Sequence, residues 1–294
     1  MKFNGDKFQV LRMGKCQDIK DGTMLFTGGM DHIITQVDQA KDLGIEMDDI
    51  GDFKAQRLAA IAKTRQKASW VLRVFRARDA RTLKKLWRLL IQPHQDYCSQ
   101  LWFPVGRVDD IKAQEVPLRA FSKRVKGLFK VPYWDRLKRL QLSSTERRSE
   151  RYRIIYTWKV LQGLVPNCGI DRLDFSSKGR LAALPNCRSG RLESIRTLKE
   201  KSFCSEGPKL FNALPRCIRD CTLSKDSFKS LLDSFLELIP DQPAGKDWEQ
   251  PGAFNNSDKA SNSIQFWIRM LNLSNWAKTS IQTDLDLETM EHGD

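Results

Sequence analysis

Long apolar runs are missing from this 294-residue chain. No stretch approaches the roughly 20 residues that span a bilayer, and the opening MKFNGD has no apolar segment of the kind that directs secretion. The expectation is an intracellular chain with no membrane partner. Histidine is scarce, with only His32, His94 and His292, far apart. The seven cysteines (Cys16, Cys98, Cys168, Cys187, Cys204, Cys217 and Cys221) are odd in number, irregular in spacing and form no CxxC pair. They read as reduced thiols rather than a disulfide framework. Cys217 and Cys221 come nearest to metal-ligand spacing, but no histidine accompanies them, so no zinc site is expected. The phosphate-cradling patterns GxxxxGK(S/T) and GxGxxG are absent, as are the GxSxG nucleophile elbow and HExxH. Apolar content of 40% and charged content of 29% are ordinary for a folded chain with a real core.

Positive charge is abundant and unevenly placed. The chain carries +14 overall, yet residues 54–160 hold 27 Lys and Arg against 8 Asp and Glu, and the remainder holds 23 against 28. A block of net +19 beside a remainder of net −5 points to a polyanion partner, since each phosphate neutralised releases counterions. A merely solvated basic face is the plainer alternative.

Periodicity divides the chain. KFQVLRMG (7–14), HIITQV (32–37) and DLGIEM (42–47) read as short strands around a loop with Gly28 and Gly29. From Phe53 the period turns helical, with Leu58, Ile61, Ala62, Ala68, Leu72 and Phe75 on one face and Lys63, Arg65, Lys67, Arg73 and Arg76 on the other. A second helix starts at Asp79 as N-cap and buries Leu83, Leu86, Trp87, Leu90 and Ile91. Pro93 should end or kink it, because the residue before a proline avoids helical geometry. A third helical stretch, 109–128, holds Pro117 in its interior, at a cost of about 3 kcal/mol unless a kink is wanted. A capping-box pattern, Ser143 to Glu146, opens a helix with Ile154, Ile155, Trp158 and Leu161 on one side, closed by Gly163 and Pro166. Residues 167–200 are turn-rich. A last amphipathic helix runs from Lys225 to Ile239, and 241–294 reads as a flexible tail, apart from an apolar piece around Ile264–Leu271.

Two arrangements call for a chemical test. His94 and Cys98, at i and i+4, could share a helix face as a nucleophile pair or half a metal site, but no third partner is near. A packed cysteine and a hydrogen-bonded histidine at a helix break explain them better. Asp48 and Asp49 in GIEMDDI have a slight likeness to the Tyr-x-Asp-Asp hairpin of polymerases. Two-metal chemistry also needs a carboxylate from an upstream strand, and the aromatic is missing, so a turn after a strand is the reading.

LWRLLIQPHQDYCSQLWFP (86–104) resembles the thumb segment of reverse transcriptases from non-LTR, LINE-type (jockey-like) retrotransposons. There a helix leads into a proline, a Tyr-Cys-x-Gln-x-Trp run and another proline, and Pro93, Tyr97, Cys98, Gln100, Trp102 and Pro104 match in register. MKFNGDKFQVLRMGK resembles the segment after the family's catalytic hairpin, and KDLGIEMD its following Leu-Gly-Val/Ile turn. YWDRLKRLQL, RRSERYRIIYTWKVLQGLVPN, SFCSEGPKLFNALPRCIRD, SFKSLLDSFLELIPDQP and SNSI resemble successive later blocks, so the likeness covers about residues 1–264.

The resemblance implies a mainly α fold, with a helical thumb-like bundle preceded by a small β palm-edge remnant and followed by a flexible C-terminal tail. The segments are 1–52 (palm edge), 53–165 (basic thumb-like region), 166–240 (C-terminal helices) and 241–294 (tail). It implies that Lys7 stands at the place of the lysine after the catalytic motif, and Leu43, Gly44 and Ile45 at the primer-grip turn. The catalytic carboxylates have no counterpart here, so the chain is expected to be no polymerase on its own and to need no cofactor. Mg²⁺ belongs to the full-length family polymerase. The expected partner is an RNA–DNA hybrid or another duplex, held without sequence preference by Lys63, Arg65, Lys67, Arg73, Arg76, Lys84, Lys85 and Arg88. Two alternatives stay open: one part of a split active reverse transcriptase, and a host-recruited helical interaction protein with no nucleic-acid role.

Overall fold

The computed structural model describes residues 9–13, 23–25, 31–33, 35–166, 200–219, 222–243 and 262–273. The chain is mainly helical, with three two-stranded pairings at its front. Strand β1 (Gln9–Leu11) pairs in parallel with β4 (Thr35–Val37), and β2 (Thr23–Leu25) antiparallel with β3 (Asp31–Ile33). The expected single strand at 32–37 is thus two strands with different partners, and β2 had no sequence signal. β5 (Gln39–Asp42) and β6 (Ile45–Asp48) form a hairpin, so 42–47 is not one strand. Leu43 (φ 46°) and Gly44 (φ 86°) make its two-residue turn. Two positive φ values in a row match the right-handed twist of the flanking strands, and glycine takes the second without strain. Asp48 closes β6, and its carboxylate accepts the Asp52 N–H at 2.7 Å, which matches the expected turn after a strand.

Helix α1 (Lys54–Val74) follows, with its phase shifted from the expected one. Gln56, Arg57, Ala60, Ile61, Thr64, Ala68 and Val71 are its buried residues, while Leu58 (59% exposed) and Ala62 face outward. The inward polar groups have partners that hydrophobicity cannot reveal: Arg57 pairs with Asp52 and Asp110, and Thr64 Oγ1 donates to the Ala60 carbonyl.

Asp79 caps α2 (Ala80–Leu86), accepting the Thr82 N–H at 2.8 Å as the sequence pattern predicts. Pro93 does not stop the rod. A π-helical turn (Trp87–Ile91) precedes it, Gln92 keeps helical angles (φ −53°, ψ −40°), and Pro93 becomes the first residue of α3 (Pro93–Asp96). At a first helical position the missing N–H costs nothing, and the widened turn takes up the ring. The break comes instead at Tyr97 and Cys98, the latter left-handed (φ 50°), before α4 (Ser99–Trp102). His94 and Cys98 therefore do not share a helix face.

Helix α5 (Val108–Ser122) runs through Pro117 and ends earlier than expected, because residues 123–128 are turns. The Gln114 carbonyl, three residues before the proline, accepts Gln95 Nε2 at 2.7 Å, so a side chain from α3 is fastened to the helix beside the proline. Helices α6 (Tyr133–Leu140) and α7 (Thr145–Leu161) come next. The α7 cap is Ser144, one residue later than the expected capping box; its Oγ accepts the Arg147 N–H at 3.1 Å, and Glu146 accepts the Asn262 N–H instead.

Two apolar cores sit on either side of α7. One joins α1, α2, the π turn, α5 and α6 through Val71, Leu83, Trp87, Ile91, Leu118, Phe121 and Leu137. The other joins Ile154, Ile155 and Trp158 of α7 to α8 (Phe203–Ala213), α9 (Lys225–Glu237) and α10 (Ile264–Met270). The apolar piece expected inside the tail is thus α10, with Ile264 and Ile268 buried. Gly207 lets α8 approach α7 closely: a Cβ there would lie 2.5 Å from Thr157 Oγ1. Among the described residues no helix is long and apolar enough to cross a membrane.

Between the cores, the N-terminal half of α7 buries Glu146, Arg147, Arg148, Glu150 and Arg153. Arg148 Nε meets Asp96 Oδ1 at 3.0 Å, and Asp96 Oδ2 also accepts Tyr152 Oη (3.0 Å) and Gln92 Nε2 (2.8 Å). Arg147 donates to the Pro240 carbonyl, Arg153 to the Phe103 carbonyl, and Glu150 accepts the Ile264 N–H. Glu115 accepts the Thr145 N–H at 2.9 Å and the Tyr133 hydroxyl.

Removing one partner of a buried pair strands the other. Asp96→Ala is expected to cost about 3–5 kcal/mol, read as a lowered urea midpoint with unchanged slope; a loss under about 1 kcal/mol would show that Arg148 finds another acceptor. Burial pushes the Glu115 carboxyl above the ordinary glutamate value of 4.5, against its hydrogen bonds and Arg148. A carboxyl that holds its proton more tightly when folded contributes stability fully below the unfolded value and loses it as pH rises through the folded one. Glu115→Gln should therefore flatten the fall in melting temperature as pH rises above the ordinary glutamate range, and an unchanged slope would contradict this.

Candidate nucleic-acid interface

The Pro-His-Gln-Asp-Tyr-Cys-Ser-Gln-Leu-Trp stretch proves to be structural. Trp102 is buried with Ile45 and Ala60, and Cys98, Met47 and Phe53 pack against them. Trp102 Nε1 donates to the Tyr97 carbonyl at 2.9 Å, closing the α3–α4 corner. Tyr97 Oη donates to the Leu43 carbonyl at 2.8 Å, which fastens the corner to the β5–β6 turn. Within that turn Leu43 is 84% exposed, while Ile45 is a core residue. Lys7 lies outside the described residues.

The basic block is partly internal. Arg57, Arg136, Arg147, Arg148 and Arg153 are buried, but so are Glu115, Glu146 and Glu150. That leaves 22 cations against 5 carboxylates outside the buried class, so the surface keeps nearly all of the block's positive charge.

The eight candidate residues do not form one face. Lys63 and Lys67 lie one turn apart on α1 and both press on His94, whose pKa is lowered first by burial and then by these two lysines. Arg65 is two residues from Lys63, about 200° around the helix, and Arg76 lies past the end of α1. Lys84, Lys85 and Arg88 come together with two residues not foreseen, Arg81 and Arg139, around a groove of about 360 Å³ between α2 and α6. Its other lining residues, Ala80 and Leu140, are apolar, and no carboxylate borders it.

Local structure explains the grouping. Helix α2 sets Arg81 beside Lys85, and its run into the π turn sets Lys84 beside Arg88, both at i,i+4 spacing, where like charges repel by a few tenths of a kcal/mol. In α6, Tyr133, Arg136, Leu137 and Leu140 turn inward, which leaves Lys138 and Arg139 outside. Gln141, left-handed at φ 49°, ends α6 and ties it to the opposite wall: Lys84 Nζ reaches its Oε1 at 2.8 Å, and Arg88 Nη2 its carbonyl at 2.9 Å. Partial burial, and then Arg88, lowers the Lys84 pKa. A signal for Arg139 was present in YWDRLKRLQL, whose Tyr133, Leu137 and Leu140 share a helical spacing that turns 138 and 139 outward.

Such a groove offers fixed and mobile N–H donors to an anion that would relieve their mutual repulsion. Among the described residues no group of His, Cys, Asp and Glu is arranged to hold a metal ion. The chain matches no protein-family model, no curated protein and no solved structure.

Proposed function

We propose that the chain is a thumb-like part of a non-LTR retrotransposon reverse transcriptase lineage that holds duplex nucleic acid, an RNA–DNA hybrid first, by its phosphates and without reading sequence. The observation that carries the reading is the α2–α6 groove, with Arg81, Lys84, Lys85, Arg88 and Arg139 around it and no carboxylate on its rim. Phosphate contacts position a duplex without carrying sequence information, and a hybrid's shape and backbone are what such a wall can grip. Binding of this kind needs no cofactor and assigns no catalytic role to any described residue. Lys63 and Lys67 form a second, smaller cationic flank on α1.

A protein-docking role has its own support in Trp70 and Val74, one turn apart on α1, and in Leu89 and Leu90 of the π turn, all four exposed. Capture of a partner through these residues after nuclease treatment would favour it.

The test is fluorescence anisotropy on hybrid and duplex oligonucleotides of several sequences across a salt series. Lys85→Glu with Arg88→Glu and Arg139→Glu should weaken binding by about ten-fold or more on every sequence. The slope of log K against log salt should fall by roughly one for each phosphate the variant no longer neutralises. Arg65→Glu, which borders no part of the groove, should change it far less. Equal weakening by Arg65→Glu, or weakening confined to one sequence, would count against the groove.

A further inference from the structure

The turn between α5 and α6, KRVKGLFK (123–130), combines features that neither the core nor the groove accounts for. Lys123, Arg124, Lys126 and Lys130 are all exposed, and no acidic residue interrupts them. Phe129 stands among them, 71% exposed.

The ring is presented by a braced loop. Val125 and Leu128 on either side of Gly127 are buried in the first core, with Val131 packed against it. The Leu128 N–H donates to the Val125 carbonyl at 3.1 Å, and the Val131 N–H to the Leu128 carbonyl at 3.2 Å. Gly127 (φ 81°) supplies the reversal. With Leu128 pinned inward, its neighbour Phe129 is turned out. The Lys126 N–H also donates to the Arg78 carbonyl at 2.8 Å, two residues before α2 and its groove begin.

We infer that Phe129 is a stacking platform for an unpaired base, at the point where a single strand leaves the duplex held in the α2–α6 groove. The inference rests on the nucleic-acid reading above and adds a ligand class to it. An apolar ring on a rigid loop has little to offer a duplex backbone, but it can take a base face while flanking cations hold the phosphates, which is how single strands are bound without sequence preference.

The experiment compares Phe129→Ala and Phe129→Trp with the unaltered chain on two probes: a blunt RNA–DNA hybrid, and the same hybrid with a single-stranded overhang carrying 2-aminopurine next to the junction. Circular dichroism confirms that each variant is folded. Phe129→Ala should lose about five-fold or more in affinity for the overhang probe and abolish the change in 2-aminopurine fluorescence, while its blunt-hybrid affinity and salt slope stay as they were. Phe129→Trp should retain both overhang signals. Equal weakening on both probes, or no effect on either, overturns the inference while leaving the groove in place. No binding to either probe by the unaltered chain overturns the groove and the platform together. Loss of binding to anionic vesicles by Phe129→Ala, with oligonucleotide binding intact, would assign the loop to a lipid surface instead.

Discussion

Everything in this fold leans on the buried polar end of α7. Three arginines and two glutamates lie inside the protein there, and each is matched by a carboxylate, a carbonyl or an N–H from a different element. Burying charge is costly, and a matched pair only offsets its own desolvation. The return is specificity: α3, α4, α5, the end of α9 and the start of α10 can each dock on α7 in one register only. The two apolar cores would otherwise be free to slide along a helix that is oily on one side and charged on the other.

Reliance on partners outside the local apolar pattern separates the elements that sequence reading missed from those it reached. Helices with apolar stripes and local caps were legible: Asp79, the Ile154–Trp158 stripe of α7 and the Lys225 helix depend on neighbours within a turn or two. The phase of α1 was not, because Arg57 and Thr64 turn inward toward partners that apolar periodicity ignores, while Leu58 stays outside. The Ser143 box failed by one residue because Glu146 has a longer-range partner in Asn262. At 32–37 a single run of β-formers is divided between two pairings, which no local pattern encodes.

The charge block shows the same division. Its excess was countable, and it survives on the surface because arginines and carboxylates went inside together. Its geometry was not countable. Helical periodicity separates Lys63 from Arg65, while the α6 cap at Gln141 brings Arg139 within the same groove as Arg88, 51 positions earlier in the chain. The groove is therefore a product of tertiary packing, and only its α2 wall is written in consecutive residues.

The π turn before Pro93 carries a geometric consequence of its own. Leu83, Trp87, Ile91 and Gln95 are all buried at a spacing of four. In an unbroken α-helix each step of four overshoots a full turn by about 40°, so such a row would wind away around the rod. A π-helical turn takes more than four residues, so one step within it falls short and cancels part of the drift. The wide turn acts as a leap day in the helical calendar, keeping a straight row in phase. One rod can then place three apolar knobs in the first core and still deliver Gln95 to α5 and α7 at its far end.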